Sequence, residues 1–232
     1  MSRARSAEFW RGFVANDWNQ RVCKLPRGQA TLRVTPLDLL RAFTAARDAE
    51  PGTIFFNREV RPGSYSRHAE APPRPAELPN ADDASVPAYA ARVSAHLGGR
   101  RFCLRVVNPQ RHARGIGDPI EAFLSGLLAE LPRPPRVDVV AFVGDYDFTP
   151  VGVHTDTSPI FHAVVCGRKR GRFWTPARWE RESRDPRAPG HYLDDALSHD
   201  LSAGDVVYWP AGMYHVFECL GLAAGLSIGL RE

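Results

Sequence analysis

His154, Thr155 and Asp156 form an H-x-D triplet, and a second imidazole, His215, follows 61 residues later. On an extended segment alternate residues share a face, so His154 and Asp156 would present an imidazole and a carboxylate side by side. Two histidines and one carboxylate on one side of a metal ion leave the opposite positions open. That donor set suits non-haem Fe(II), whose open positions accept a bidentate co-substrate and O2. Taken alone, H-x-D is a weak signal, since a surface loop with two polar residues has the same form. His215 strengthens it, because it closes a run from Gly204-Asp205-Val206 through Tyr208-Trp209-Pro210 to Tyr214. That run reads as a turn, a strand, a Pro/Gly loop and a second strand able to return His215 to the pair.

A further residue stands out by rarity. All but two of the 30 basic residues are arginine, and the exceptions are Lys24 and Lys169. A lysine in a motif position therefore needs a reason, and a buried carboxylate of a bound ligand must be paired with a cation.

The elements that must position these residues divide the chain into two styles. Before residue 135 the pattern is mostly helical. Phe9, Trp10, Phe13 and Val14 share one face of a helix over residues 7–19. Thr35-Pro36-Leu37-Asp38 reads as a helix start with a cap, a first-turn proline and an acidic residue at the positive helix end. Leu39, Leu40 and Phe43 form its apolar face. Thr53 to Phe56 reads as a short strand, and the proline-rich stretch from Arg61 to Ala84 as a long surface loop. Ser85 opens a helix closed by Gly98, and Phe102, Leu104 and Val106 alternate like a half-buried strand. Residues 118–131 carry the clearest helical stripe, from Ile120 to Leu131, behind an Asp118-Pro119-Ile120-Glu121 start.

After Pro135 short strands dominate. Val137–Val143, Val151–Asp156, Phe161–Cys166, Arg172–Thr175, Val206–Trp209, His215–Glu218 and Leu226–Leu230 are separated by turn residues, which predicts an antiparallel sandwich or barrel. Residues 177–200 read as a charged excursion, either a surface loop or a lid over the site. With no linker in view, residues 1–232 are expected to be one domain, with a helical and strand-bearing part over 1–135 and a metal-binding β core over 136–232.

Composition narrows the partners. The net charge of +4 comes from dispersed basic residues offset by 26 acidic ones, which disfavours a nucleic-acid partner. Apolar runs fall short of the roughly 18–20 residues that cross a bilayer, and the N-terminus lacks the apolar core of a secretory signal. The sequence predicts a cytosolic protein with no membrane partner. Cys23, Cys103, Cys166 and Cys219 show no C-x-x-C pairing and read as small hydrophobes. Arg168, Arg170 and Arg172 read as the outward side of strands, with a basic substrate rim as the sharper alternative.

Two blocks resemble the JmjC and cupin-like Fe(II)/2-oxoglutarate oxygenases. One runs from Phe148-Thr149-Pro150 through His154-Thr155-Asp156 into Gly167-Arg168-Lys169-Arg170. The other runs from Leu201 to His215 and is similar to an L-x-x-G-D-x-x-Y-x-P-x-G-x-x-H element. Gly225–Leu230 resembles the closing strand of that barrel. The resemblance covers roughly residues 138–230. It implies an α+β, mainly β fold: a double-stranded β-helix (jelly roll) core with the N-terminal helices packed outside. It implies His154, Asp156 and His215 as ligands of Fe(II), with 2-oxoglutarate and O2 as co-substrates. Relatives place a basic residue fifteen positions after the first ligand histidine to hold the distal carboxylate of 2-oxoglutarate, and here that residue is Lys169. Thr149 is the hydroxyl candidate for assisting it, and Ser227 is a further pocket residue. Related halogenases replace the carboxylate ligand with a small residue, so Asp156 implies hydroxylation of a C–H bond. Tyr146 and His162 are candidate substrate contacts. The implied substrate is a side chain of a peptide or protein. A free amino acid or small metabolite is the alternative, and a non-catalytic metal-binding cupin is the alternative of another class. N-demethylation ranks lower, for want of a visible aromatic cage.

Overall fold

The computed structural model describes residues 3–58 and 70–231. Residues 61–69 of the expected long loop, with Pro62 and His68, lie outside the described residues. The remainder of that stretch holds a two-residue strand and a 3-10 turn at Pro75–Glu77 rather than plain loop.

In chain order the elements are α1 (Arg3–Asn16), β1 (Cys23–Lys24), α2 (Pro36–Ala49), β2 (Ile54–Asn57), β3 (Glu70–Ala71), α3 (Val86–His96), β4 (Cys103–Val107), α4 (Arg114–Leu128), β5 (Arg136–Gly144), β6 (Ile160–Cys166), β7 (Arg168–Trp174), α5 (Pro176–Trp179), β8 (Leu197–Ser202), β9 (Val206–Trp209), β10 (Tyr214–Cys219) and β11 (Ala223–Arg231). Among the described residues no helix is long and apolar enough to cross a membrane.

The strands form two antiparallel sheets. The larger runs β1-β9-β6-β11-β5-β4-β2-β3 and the smaller β10-β7-β8. The jelly-roll expectation is met, and the helices lie outside it. Strand alternation divides the large sheet into two chemically different faces. Val139, Ala141 and Val143 of β5, Phe161 and Ala163 of β6, and Leu226, Ile228 and Leu230 of β11 are buried against the helices. There they meet Trp10 and Phe13 of α1, Leu39, Leu40 and Phe43 of α2, and Ile120, Phe123, Leu124 and Leu127 of α4. Each fully buried side chain of this kind is worth about 1.5–3 kcal/mol. The alternate residues, among them Asp138, Val140 and Phe142 of β5 and Ser227 and Gly229 of β11, face the smaller sheet and line a cavity of ≈ 220 Å³.

The local signals explain most of the helices. Thr35 accepts from the Asp38 N–H while the Asp38 carboxylate accepts from the Thr35 N–H, a complete capping box. Ser85 caps α3, and Gly98 follows it at φ +68°. Two helix boundaries differ from expectation. The first helix is Arg3–Asn16, not 7–19. The fourth begins at Arg114, a turn before Asp118, and ends at Leu128. Its early start packs Gly115 against Asp38 of α2, where an added Cβ would stand 3.1 Å from the Asp38 carboxylate. Pro119 is the sixth residue of this helix and lies inside it, so the ladder lacks one N–H there.

The β half departs at two places. Residues 151–156 are not a strand: Gly152 turns at φ +69°, and His154 makes only an isolated antiparallel bridge with His215. The excursion is shorter than expected, because 197–202 is β8, the outer strand of the smaller sheet. The rest is folded down. Arg184 lies against the rings of Trp179 and Tyr192 and binds Asp195, which also accepts from Arg178 and the Trp174 indole. Arg178, Glu180, Arg181, Glu182, Asp185 and Arg187 are exposed, as the surface-loop reading expects, while Trp179 and Pro189 are buried beneath them.

Candidate metal centre

The two imidazoles are brought together by the backbone. The His215 N–H donates to the His154 carbonyl (2.9 Å) and the His154 N–H to the His215 carbonyl (3.2 Å). Their ring centroids lie 4.3 Å apart. Each ring is then held by the carbonyl two residues back: His154 Nδ1 is 3.0 Å from Gly152 O, and His215 Nδ1 is 3.0 Å from Met213 O. A carbonyl accepts only, so Nδ1 carries the proton and Nε2 presents its lone pair. Asp156 completes the group, with His215 Nε2 3.4 Å from Asp156 Oδ2. One donor atom from each of the three residues lies within 4.8 Å of the others. The spacing and the matched tautomers fit one divalent cation. Burial, reinforced by His154, pushes the His215 imidazole well below its ordinary pKa, which keeps it in the neutral form a metal needs. Burial raises the Asp156 carboxyl, with His154 opposing; a cation at this point would restore the carboxylate.

The excursion contributes to this geometry. The Val153 N–H donates to the Pro186 carbonyl (2.9 Å), which fixes the chain immediately before His154. Gly152 is required there twice over: its φ is positive, and a Cβ would stand 2.4 Å from Pro186 O.

The G-D pair of the second motif has a structural role. Asp205 is 2% exposed and accepts from the Ser202 N–H (2.8 Å), Lys24 Nζ (2.8 Å) and Arg27 Nε (2.6 Å). Burial opposes its charge, but these donors prevail and hold the carboxyl well below the usual range. It ties the β8–β9 turn to the N-terminal segment, and this explains Lys24, one of the two lysines.

Lys169, the other, lies inside. It is 0% exposed and donates to the Tyr146 hydroxyl (2.9 Å). Burial lowers its ammonium pKa. Among the described residues no carboxylate pairs with it, although Tyr146, Phe142 and Cys103 surround it at one end of the cavity that also holds the triad. A buried cation without a counter-charge costs several kcal/mol, so the site fits an anionic ligand reaching from Lys169 toward the metal. Arg168, Arg170 and Arg172 alternate with Lys169 in sequence and point the other way. Arg170 pairs with Asp200, and Arg172 with Glu218 and Ser198. The strand reading of these arginines holds, and the basic rim does not form.

The remaining expected residues line the same cavity in different states. Thr149 Oγ1 donates to the Phe217 carbonyl (3.2 Å) and accepts its N–H (3.1 Å), so its hydroxyl is engaged with β10. Ser227 Oγ lies 2.9 Å from His162 Nδ1. His162 is fully enclosed, and burial, then Lys169 and His215, push its pKa well below the ordinary value. Tyr146, a candidate substrate contact, lines the cavity beside Lys169. That pairing spans 23 residues and the two sheets, and no local pattern in the sequence marks it.

A jelly roll carrying a His-Asp-His cluster and a buried lysine defines a class of metal-binding barrel. Residues 130–232 match the JmjC domain family model. Among solved structures, the chain is similar to the ribosomal oxygenase YcfD from Escherichia coli in complex with cobalt and 2-oxoglutarate. The TM-score is 0.60 at 19% identity, over 96% of this chain and 51% of that one. The same protein with cobalt and succinic acid gives 0.58 at 17% identity, with the same coverage. The chain therefore spans about half the length of these structures, and at such identity the likeness is one of fold. No curated protein matches the sequence.

Proposed function

We propose that the chain is an Fe(II)- and 2-oxoglutarate-dependent dioxygenase that hydroxylates a C–H bond on a side chain of a peptide or protein. The observation that carries this reading is the fully buried Lys169, which pairs with no carboxylate among the described residues, in the same cavity as the His154–Asp156–His215 cluster. A metal site alone would not need it. A diacid that binds the metal at one end and an ammonium at the other does.

In this reading His154 and His215 offer Nε2 and Asp156 a carboxylate oxygen to Fe(II). The iron, once bound with 2-oxoglutarate and O2, supplies the oxidising chemistry. Lys169 and the Tyr146 hydroxyl hold the distal carboxylate of 2-oxoglutarate by charge-assisted hydrogen bonds. Phe217, Trp209 and Val140 give the cavity its apolar walls and exclude water. The peptide or protein substrate is supported by the fold likeness to a ribosomal oxygenase.

The test is spectroscopic and then chemical. Anaerobic protein with Fe(II) and 2-oxoglutarate is expected to show a visible metal-to-ligand charge-transfer band, lost in His215→Ala. Incubation with peptide pools under air is expected to yield succinate and a peptide heavier by one oxygen. Absence of the band, with no succinate formed from peptides or free amino acids, would overturn the dioxygenase reading in favour of a non-catalytic metal-binding barrel. Turnover of amino acids but not peptides would overturn the substrate class alone.

A further inference from the structure

Among the described residues, His162 is one of the cavity-lining residues with a buried polar atom that has no hydrogen-bond partner. His162 is 2% exposed, and its Nε2 makes no hydrogen bond among the described residues. The other ring nitrogen, Nδ1, lies 2.9 Å from Ser227 Oγ, across the β6–β11 ladder where the two residues are register partners. The ring is fixed from both sides. Phe217 of the smaller sheet packs on it at 4.4 Å between centroids. Gly225 of the larger sheet leaves the space it occupies, since a Cβ there would stand 3.0 Å from His162 Nε2 and 2.7 Å from Ala163 O. The position of Nε2 is thus set by the fold, and His162 is one of the residues lining the cavity shared by Lys169 and the metal ligands.

Leaving such a buried atom unpaired is unfavourable. Lys169 and His215 are both within electrostatic reach of the ring. A ligand drawn between an ammonium and a metal cation is anionic, and its oxygens are acceptors. An acceptor is satisfied by Nε2 only when that nitrogen carries the proton. A serine hydroxyl donating to Nδ1 selects that tautomer.

We propose that His162 Nε2–H donates to a carboxylate oxygen of 2-oxoglutarate, and that Ser227 fixes the tautomer by donating its hydroxyl to Nδ1. This inference rests on the dioxygenase reading above. His162 then becomes a co-substrate contact rather than a substrate contact. Ser227 becomes a positioning residue that touches the co-substrate only through His162.

The experiment uses the full chain loaded with Zn(II), a redox-inert stand-in, titrated calorimetrically with 2-oxoglutarate. His162→Leu is expected to bind about tenfold more weakly, equivalent to about 1.4 kcal/mol. His162→Gln, which restores a donor, is expected to recover most of that loss, and Ser227→Ala to lose about threefold. In the wild type, 15N spectra of histidine-labelled protein are expected to show a protonated Nε2 and a bare Nδ1 at His162. The Nε2–H resonance should shift when 2-oxoglutarate is added, a change that a purely structural histidine would not show. Should His162→Leu fail to fold, Ser227→Ala and the wild-type spectra decide. Unchanged affinity in His162→Leu, or a bare Nε2 in the wild type, overturns this inference while leaving the dioxygenase reading intact. A wild-type zinc protein that does not bind 2-oxoglutarate overturns both.

Discussion

Tyr146 donates nothing to a carboxylate in this structure; its hydroxyl accepts the Lys169 ammonium at 2.9 Å, in a pocket that offers the lysine no counter-charge among the described residues. The pair is poised for an anion, and the two roles of the lysine can be separated. Lys169→Met keeps the volume and removes the charge. Its ligand-free thermal midpoint is expected to rise, because an uncompensated buried cation costs more than a buried thioether. Its stabilisation by 2-oxoglutarate is expected to vanish. Thermal melts with and without 2-oxoglutarate check both, and a falling ligand-free midpoint would contradict the account.

Tyr146→Phe removes one hydrogen bond to a charged group. The expected loss of 2-oxoglutarate affinity is about 1.5–3 kcal/mol, roughly tenfold or more. The position of the Lys169 side chain should be unchanged. Titration of the metal-loaded protein measures it, and an affinity equal to wild type would remove Tyr146 from the co-substrate site.

Metal binding should appear as stability. With a divalent ion at a hundred times its dissociation constant, the wild type should gain about 2.7 kcal/mol. His215→Ala should gain nothing, since it removes a buried ligand while keeping the backbone bridge to His154. Denaturant melts with added Mn(II) or Zn(II), against a chelated control, provide the comparison.

The metal motif was legible in residue types and spacing, and the path of the chain around it was not. His154 and Asp156 pointed to a strand because strands are the simplest way to pair alternate residues. The structure uses a left-handed glycine and a carbonyl from the far excursion instead. Those contacts join Gly152 to Pro186, beyond any local window. β8 escaped notice because it is an outer strand: of Leu197–Ser202 only Leu201 is buried, so the alternation that marks a strand is faint. The early start of α4 depended on Asp38, contributed by another helix. Lys169 was legible through its rarity. The contact of Tyr146 with Lys169 was not legible, because the two residues lie 23 positions apart.

Gly152→Ala should loosen the metal site without touching a ligand. The new Cβ meets Pro186 O and strains a φ of +69°, costing about 1–3 kcal/mol. The Gly152 carbonyl that orients His154 should shift with it. Metal affinity and thermal midpoint are expected to fall together. Gly190→Ala is the control, since a Cβ there meets nothing within 4 Å.

Asp205 sets the acid limit of the fold. Its carboxyl is held below its unfolded value by Arg27, Lys24 and the Ser202 N–H, against the opposing effect of burial. A depressed folded pKa stabilises the protein fully above the unfolded carboxylate value of about 3.9, and that contribution fades as pH falls toward the folded value. Asp205→Asn is expected to cost about 2 kcal/mol at pH 7, with the gap to wild type narrowing below about pH 4. Urea melts across this range test the sign, and a gap that widened on acidification would refute it.

The central strand β11 is paired on both sides, to β5 and to β6, with Leu226, Ile228 and Leu230 toward the helices and Ser227 and Gly229 toward the cavity. Gain or loss of one residue within it would exchange the two sets, placing leucines beside the metal and a serine in the oily layer. Its length is therefore heritable only as a unit. A change of length is accommodated in the connections around it rather than within it.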